Sequence, residues 1–489
     1  MKKRFVLILL LTLPVHTVVS QTGEQPHSIH WQEWEAHRHL PKMPSLFDSI
    51  GRDIEPLAMG KRQLLQRTVF GYLPDWQYKS ARSFLQYDLL SHLAAFDFTV
   101  NSSGYIANPS YWPWTDVINA AHNEGVKVIM VAVNFNRDAI HTLLTDAGAK
   151  NNFFRQAKAK INQYKLDGIN VDFEGLYSAD RGSLLNNFMK DLTDYMHREV
   201  PGSEVSFAGP AVNWGGWDLA GLANSCDYIF IMGYAFYGSW SSTSGPGAPL
   251  TGGSYNITNT VTVQYAQVTE NHPEKLILGV PYYGTRWQTA DNRAYSSTVD
   301  YINHPRFVTA IKEGENYDLN WDGKSQTPWY AYQIGNDWYQ VWFDSRYSLS
   351  LKYDLADTKN LRGVGMWALG YDLDRSDLWN ELRVRYAPGT VPLLPDRPDG
   401  LIVRAAGEGD LILVDLNLPE FADGFYLYWA KDRQMFRDSL FFPGSRGYVT
   451  GLDKGELYFL KVRCVNSRSL SPYSAIMAAT TTGSPRALI

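Results

Sequence analysis

Cysteine is almost absent: this chain of 489 residues has two, Cys226 and Cys464. A disulfide-stapled scaffold is thereby excluded. Each Cys sits in an apolar strand-like run, so both are expected as buried free thiols. Basic charge is not in excess either. With 45 Lys and Arg against 50 Asp and Glu the net charge is −5, which argues against nucleic acid or an anionic membrane as the main partner. A bilayer-spanning run is missing as well. The apolar stretch from Phe5 to about Val19 is too short to cross a membrane. Placed after Lys2-Lys3-Arg4 and before the small Ser20, it reads as a secretory signal over residues 1–20. No Cys stands near the expected cleavage point, so no lipoprotein anchor is expected, and the mature protein is expected to be secreted or periplasmic.

What the chain has in abundance is aromatic residues, 14% of the total with 16 Trp and 30 Tyr, which suits a groove that stacks on sugar faces. It is also too long for one ordinary domain. Residues 21–66 are a polar lead-in without a strong period, from which a short helix around Trp31 and Trp34 is expected to pack on the domain that follows. Its His27, His30, His37 and His39 lack acidic or Cys partners at metal-ligand spacing, so no metal site is expected. From residue 67 to 386, strand-like runs cover 68–76, 93–100, 126–133, 166–175, 205–211, 228–234, 276–283 and 363–369. Helical periodicity marks 115–124, 142–164 and 183–198 between them. Eight strands with helical spacers predict an α/β fold, the (β/α)8 TIM barrel, whose chemistry gathers at the C-terminal strand ends. Two connections are long for such a barrel. The Gly-, Ser- and Thr-rich 236–265 is expected to be functional or mobile, and about 286–345 carries its own strand-like aromatics. Residues 387–398 are a Pro-dense, semi-extended linker, and 399–483 turn to short alternating strands, as a β-sandwich requires.

The stretch Leu166-Asp167-Gly168-Ile169-Asn170-Val171-Asp172-Phe173-Glu174-Gly175 alternates strictly. Ile169, Val171 and Phe173 face one side, and Gly168, Asn170, Asp172 and Glu174 the other. This suits a barrel strand with an apolar outer face and a polar interior. Asp172 and Glu174 share a face, so ionising both is costly and one is expected to keep its proton, as a general acid must. Asp167-Gly168-x-Asn170-x-Asp172-x-Glu174 resembles the signature of glycoside hydrolase family 18, the chitinase-type barrels, normally D-G-x-D-x-D-x-E. The resemblance recurs at Met232-x-Tyr234, at Gly279-Val280-Pro281-Tyr282-Tyr283-Gly284, and at Gly363-Val364-Gly365-Met366-Trp367-Ala368.

The resemblance implies substrate-assisted hydrolysis with retention, in which the sugar's 2-acetamido oxygen attacks the anomeric carbon. Glu174 would be the acid and then the base, Asp172 would orient the acetamido N–H, and Tyr234 would bond its oxygen. Asn170, Met232, Trp367, Tyr72 and Tyr283 would contact substrate, with Trp367 as the floor and Gly363 and Gly365 leaving room for its indole. Asn170 would also hydrogen-bond Asp172. Residues 286–345 resemble the family's small α+β insertion, which raises one groove wall. The end of the chain resembles a fibronectin type III domain with Tyr458 at its corner, although the second strand, 411–416, lacks the expected core Trp. Three departures stand out: Asn170 where Asp is commoner, Ala235 in place of the Asp of M-x-Y-D, and Ala132-Val133-Asn134-Phe135 where S-x-G-G is usual. The partner implied is a glycan containing N-acetylglucosamine, with chitin or its oligomers first, then peptidoglycan, then N-glycans. No cofactor is called for and a monomer is expected. The rival class is a non-catalytic glycan-binding barrel, which typically loses the acid that Glu174 supplies here; a purely structural or adhesive exported protein is a further one.

Overall fold

The computed structural model describes residues 28–46, 53–58, 65–387 and, apart from 408, 434, 435, 437, 467–469 and 472, 395–483. The expected signal and most of the expected linker lie outside these residues. Seven strands alternate with helices: β1 (Thr68–Pro74), β2 (His92–Thr99), β3 (Lys127–Asn134), β4 (Gly168–Phe173), β5 (Glu204–Pro210), β6 (Tyr228–Met232) and β7 (Leu276–Pro281). An inserted sheet follows, made of β8 (Thr285–Thr289), β9 (Thr298–Asn303), β10 (Asn320–Asp322), β11 (Thr327–Ile334) and β12 (Asp337–Trp342). The helix Arg346–Thr358 then leads to β13 (Gly363–Trp367), which lies between β7 and β1 and closes an eight-stranded barrel in which every pair is parallel.

The period-2 pattern explains the layers. On β4, Phe173 faces outward against Phe153 and Phe188 of the helices Ala147–Tyr164 and Ser183–Glu199, at ring distances of 5.9 and 6.0 Å. Asn170 faces the interior. The helical periodicity over 142–164 belongs to two helices, Arg137–Thr145 and Ala147–Tyr164. Asp146 breaks the run: its backbone is extended and its side chain accepts from the Ala149 N–H at 2.7 Å, capping the second helix.

The interior corrects one reading of the glycines. A Cβ on Gly365 would fall 2.4 Å from the Phe230 ring and 2.5 Å from the Phe70 carbonyl oxygen, and one on Gly279 would fall 2.4 Å from the other edge of Phe230. A Cβ on Gly363 would strike the Thr68 backbone at 2.0 Å. These glycines make room for the Phe230 ring and for neighbouring backbone, not for the Trp367 indole. Deeper in the barrel, Glu204 accepts from His92 Nε2 at 2.9 Å, Lys127 Nζ at 2.5 Å and the Tyr228 hydroxyl at 3.2 Å.

The insertion is an antiparallel sheet of order β10-β11-β12-β8-β9 with the helix Phe307–Gly314, and Trp287, Trp329 and Trp342 give it a core of its own. The long 236–265 connection is fastened to it. Ser244 Oγ donates to Gln340 Oε1 at 2.7 Å, and the Leu250 N–H to the Ser325 carbonyl at 2.9 Å. Beyond the barrel, β14 (Asp399–Ala406), β15 (Leu411–Asn417) and β18 (Arg446–Val449) form one sheet. β16 (Gly424–Ala430), β17 (Asp438–Pro443), β19 (Leu457–Val465) and β20 (Met477–Thr480) form a second. Their apolar faces enclose a separate core that includes Phe425, Leu427, Leu460 and Val462. Cys226 and Cys464 are buried and free, each in its own core, as expected. No helix of the described residues is long and apolar enough to cross a membrane.

Candidate active site

Parallel pairing of β3, β4 and β5 aims the C-terminal end of β4 at the barrel mouth, and the Glu174 N–H is held by the Asn134 carbonyl at 3.0 Å. Asp172 is fully buried and Glu174 nearly so. Burial pushes both carboxyls up, to about 8 each, and for Glu174 the neighbouring Asp172 charge adds to the effect. A retained proton was expected from mutual repulsion; burial is the larger cause.

The cover over these acids is the lead-in. Helix α1 (Ile29–His37), capped by Ser28 accepting from the Trp31 N–H at 3.1 Å, lies across the mouth. Ser28 Oγ donates to Glu174 Oε1 at 2.6 Å. His30 is fully buried, with Nδ1 2.7 Å from Asp172 Oδ2 and Nε2 2.7 Å from the Tyr234 hydroxyl. Burial drives its pKa down to about 3, so the ring is neutral at physiological pH. The neutral ring has one donor and one acceptor nitrogen, so it bridges Asp172 and Tyr234 by donating to one and accepting from the other. The imidazole lies over the Trp367 indole with 3.8 Å between centroids and 30° between planes. One turn on, Glu33 Oε2 accepts from Trp367 Nε1 at 2.8 Å and from the Tyr371 hydroxyl at 2.6 Å. Burial pushes the Glu33 carboxyl up to about 7, against those two hydrogen bonds and the nearby Arg306.

Asp172, Glu174, Tyr234 and Trp367 therefore meet around one imidazole. Tyr72 and Asn170 lie beneath, bonded to each other at 2.8 Å, and Asn170 Nδ2 donates to Ser206 Oγ at 2.9 Å. The expected Asn170–Asp172 hydrogen bond is not made: the Asn170 amide is spent across the barrel on β1 and β5. Tyr283 flanks the site, its ring 6.2 Å from that of Tyr234. Met232 is buried at the end of β6. Ala235 adopts a left-handed backbone with φ of 58°, and Phe135, in the departed third-strand motif, packs on Trp34 of α1 at 5.1 Å.

Among the described residues, His30, Asp172 and Glu174 are the one group of metal-ligating side chains that gathers, each offering an atom within 4.8 Å of the others. No such partners were expected for the lead-in histidines, because spacing along the chain carries no sign of contacts made through the fold. The 2.7 Å between His30 Nδ1 and Asp172 Oδ2 is a hydrogen-bond length, shorter than the roughly 3.3 Å between neighbouring ligands of tetrahedral zinc. The other lead-in histidines do not converge on it. His37 stacks on Trp76 at 4.3 Å, His39 is 3.7 Å from Glu35, and His27 lies outside the described residues. Sequence reasoning also passed over Ser28, Glu33 and Tyr371, which carry no local signal.

Comparison with known proteins identifies the family of the barrel. Residues 68–372 match the model of "Glycosyl hydrolases family 18". The chain is 28% identical over 274 residues to human di-N-acetylchitobiase, covering 50% of this chain and 68% of that one. It is 26% identical over 295 residues to the cortical fragment-lytic enzyme of Bacillus subtilis, covering 58% and 65%. Among solved structures, the Group IV chitinase of Ostrinia furnacalis in complex with allosamidin superposes with a TM-score of 0.57 at 21% identity, over 65% of this chain and 98% of that one. The family match spans most of the barrel and contains every barrel residue of the site, and the chain belongs to glycosyl hydrolases family 18.

Proposed function

We propose that this protein is an exported, retaining glycoside hydrolase that cleaves β-1,4 linkages in glycans of N-acetylglucosamine by substrate-assisted catalysis. The observation that carries the reading is the convergence of Glu174, Asp172 and Tyr234 above the Trp367 indole at the C-terminal mouth of the barrel. Glu174, which holds its proton near neutral pH in this buried setting, protonates the leaving oxygen and later takes a proton from water. Asp172 is on the same strand, too close to attack from the opposite face, so the nucleophile is the substrate's acetamido oxygen. Asp172 accepts the acetamido N–H and in its ionised form offsets the positive charge of the cyclic intermediate, while Tyr234 donates to the acetamido oxygen. Trp367 supports the distorted ring, and Tyr72, Asn170, Met232 and Tyr283 shape the pocket around it.

Chitin-type substrates lead, as for the chitobiase relative. Peptidoglycan is the second reading, favoured by the likeness to a cortical fragment-lytic enzyme. The C-terminal unit is read as a fibronectin type III-like spacer: its strands divide three and four between two sheets, and the Tyr458 hydroxyl accepts from the Asp453 N–H at 3.1 Å, as a tyrosine corner does. The test is product analysis by mass spectrometry on chitohexaose and on peptidoglycan, with the parent and Glu174→Gln. Cleavage by the parent, reduced at least about 100-fold in the variant, supports the enzyme, and the substrate cleaved chooses between the two glycans. Binding of either glycan without cleavage by the parent overturns the enzyme reading in favour of a glycan-binding barrel.

A further inference from the structure

Asp172 is wholly buried and Glu174 is 7% exposed, so no glycan can reach them in this conformation. The obstacle is a piece of the same chain, and it meets the barrel through the very groups that the hydrolase reading assigns to substrate. The two ring nitrogens of His30 bridge Asp172 and the Tyr234 hydroxyl, both at 2.7 Å; in the tautomer protonated on Nδ1 the ring donates to Asp172 and accepts from Tyr234. An acetamido group would offer the same pair, an N–H to Asp172 and an oxygen to Tyr234. The imidazole covers the Trp367 face as a pyranose would, Ser28 Oγ stands against Glu174 at 2.6 Å where the leaving oxygen belongs, and Glu33 ties the indole N–H.

We propose that residues 28–37 are an intramolecular occupant of the glycan site, a latch that imitates the acetamido sugar and keeps the enzyme latent until glycan displaces it. The inference rests on the hydrolase reading of the site and adds its regulation. The latch is built to be displaced. Helix α1 has nine residues, of which only Ile29 and His30 are buried, and a helix this short is marginal by itself. Its apolar hold is Ile29 in the barrel core and a partly buried Trp34, while its polar hold, through Ser28, His30 and Glu33, falls on the groups that substrate also uses. Behind it the chain is anchored: Lys42 Nζ reaches Asp75 at 2.8 Å and Asp97 at 3.0 Å, and the Tyr111 N–H donates to the Met43 carbonyl at 2.7 Å. A released α1 thus stays tethered at the rim and competes again at high effective concentration. A latch closed 20 to 1 would weaken apparent glycan affinity about 20-fold.

The experiment compares the full chain with His30→Ala/Glu33→Ala. Chitotetraose affinity is measured by calorimetry, chitotetraose hydrolysis by kcat/KM, and amide hydrogen exchange is followed over residues 29–37. The expected result is protection of 29–37 in the parent, its loss in the variant and on adding chitotetraose to the parent, and at least tenfold tighter binding with a lower KM in the variant. Trp34→Ala, which loosens α1 from Phe135 without touching an acid, should open the site partway. Tighter binding by the variant with no hydrolysis keeps the latch and removes the hydrolase reading. Unprotected exchange across 29–37 in the parent, or equal affinity and equal kcat/KM in parent and double variant, overturns the latch.

Discussion

Gly365→Ala tests how the barrel interior supports the indole of Trp367. The added methyl would lie 2.4 Å from Phe230 Cε2 and 2.5 Å from the Phe70 carbonyl oxygen. The first contact is with a ring held from the other side by Gly279, and the second is with the backbone of the neighbouring parallel strand, so neither can yield by a rotamer change. Overpacking of a tight core costs about 1–3 kcal/mol, and two simultaneous contacts place this case at the upper end. For a barrel of roughly 320 residues an unfolding entropy near 0.7 kcal/mol/K converts 3 kcal/mol into a fall of about 4 °C. The strain should also reach the site. Phe230 sits edge-on to Tyr72 at 4.8 Å, Tyr72 bonds Asn170, and Trp367 is two residues along β13. Calorimetry and chitooligosaccharide turnover read both effects. Gly365→Ala/Phe230→Leu should recover part of the loss, since it relieves the ring contact but not the carbonyl, and its effect should be smaller than the sum of the single changes. A melting temperature within about 1 °C of the parent together with unchanged turnover would refute the reasoning.

Asn170→Asp adds a third carboxyl to the face that carries Asp172 and Glu174, one pleat below Asp172 and roughly 6.5–7 Å away. A like charge disfavours ionisation of Asp172, so the acidic limb of the pH–kcat/KM profile should move to higher pH, and an unmoved limb would show that the position does not tune the acids. Glu204→Gln should destabilise the barrel by roughly 3 kcal/mol in urea titration at neutral pH. Burial pushes Glu204 up, but His92 and Lys127 outweigh it and hold the carboxyl well below its usual range. A depressed carboxyl stabilises the fold above its unfolded pKa, about 4.3, and loses that contribution as pH falls below it. The gap between parent and variant should therefore narrow on acidification, and a gap independent of pH would count against the ion-paired account.

The eight barrel strands could be read from the chain to within about two residues at either end, because each is a short apolar run bounded by helical or loop sequence and the two-residue alternation of faces along a strand is a local property. Asp172 and Glu174 were legible for the same reason: two positions on one strand share a face whatever surrounds them. Local signals also placed the break before the insertion and the two unpaired thiols. Helix-spaced apolar residues alone did not reveal that Asp146 splits one run into two helices, since the decision rests on a cap. Nor could spacing show that Gly365 and Gly279 accommodate Phe230, because the ring arrives from a third strand. The lead-in was read as a short helix packed on the barrel, and so it is, but where it packs was decided by contacts between residues 142 to 204 positions apart. No local pattern distinguishes His30 from any other half-polar helix residue. The sequence by itself determined the strand framework and the chemistry it carries. Only tertiary structure determined that this chemistry is covered, because burial and hydrogen bonding across the barrel mouth depend on which distant segment fills it.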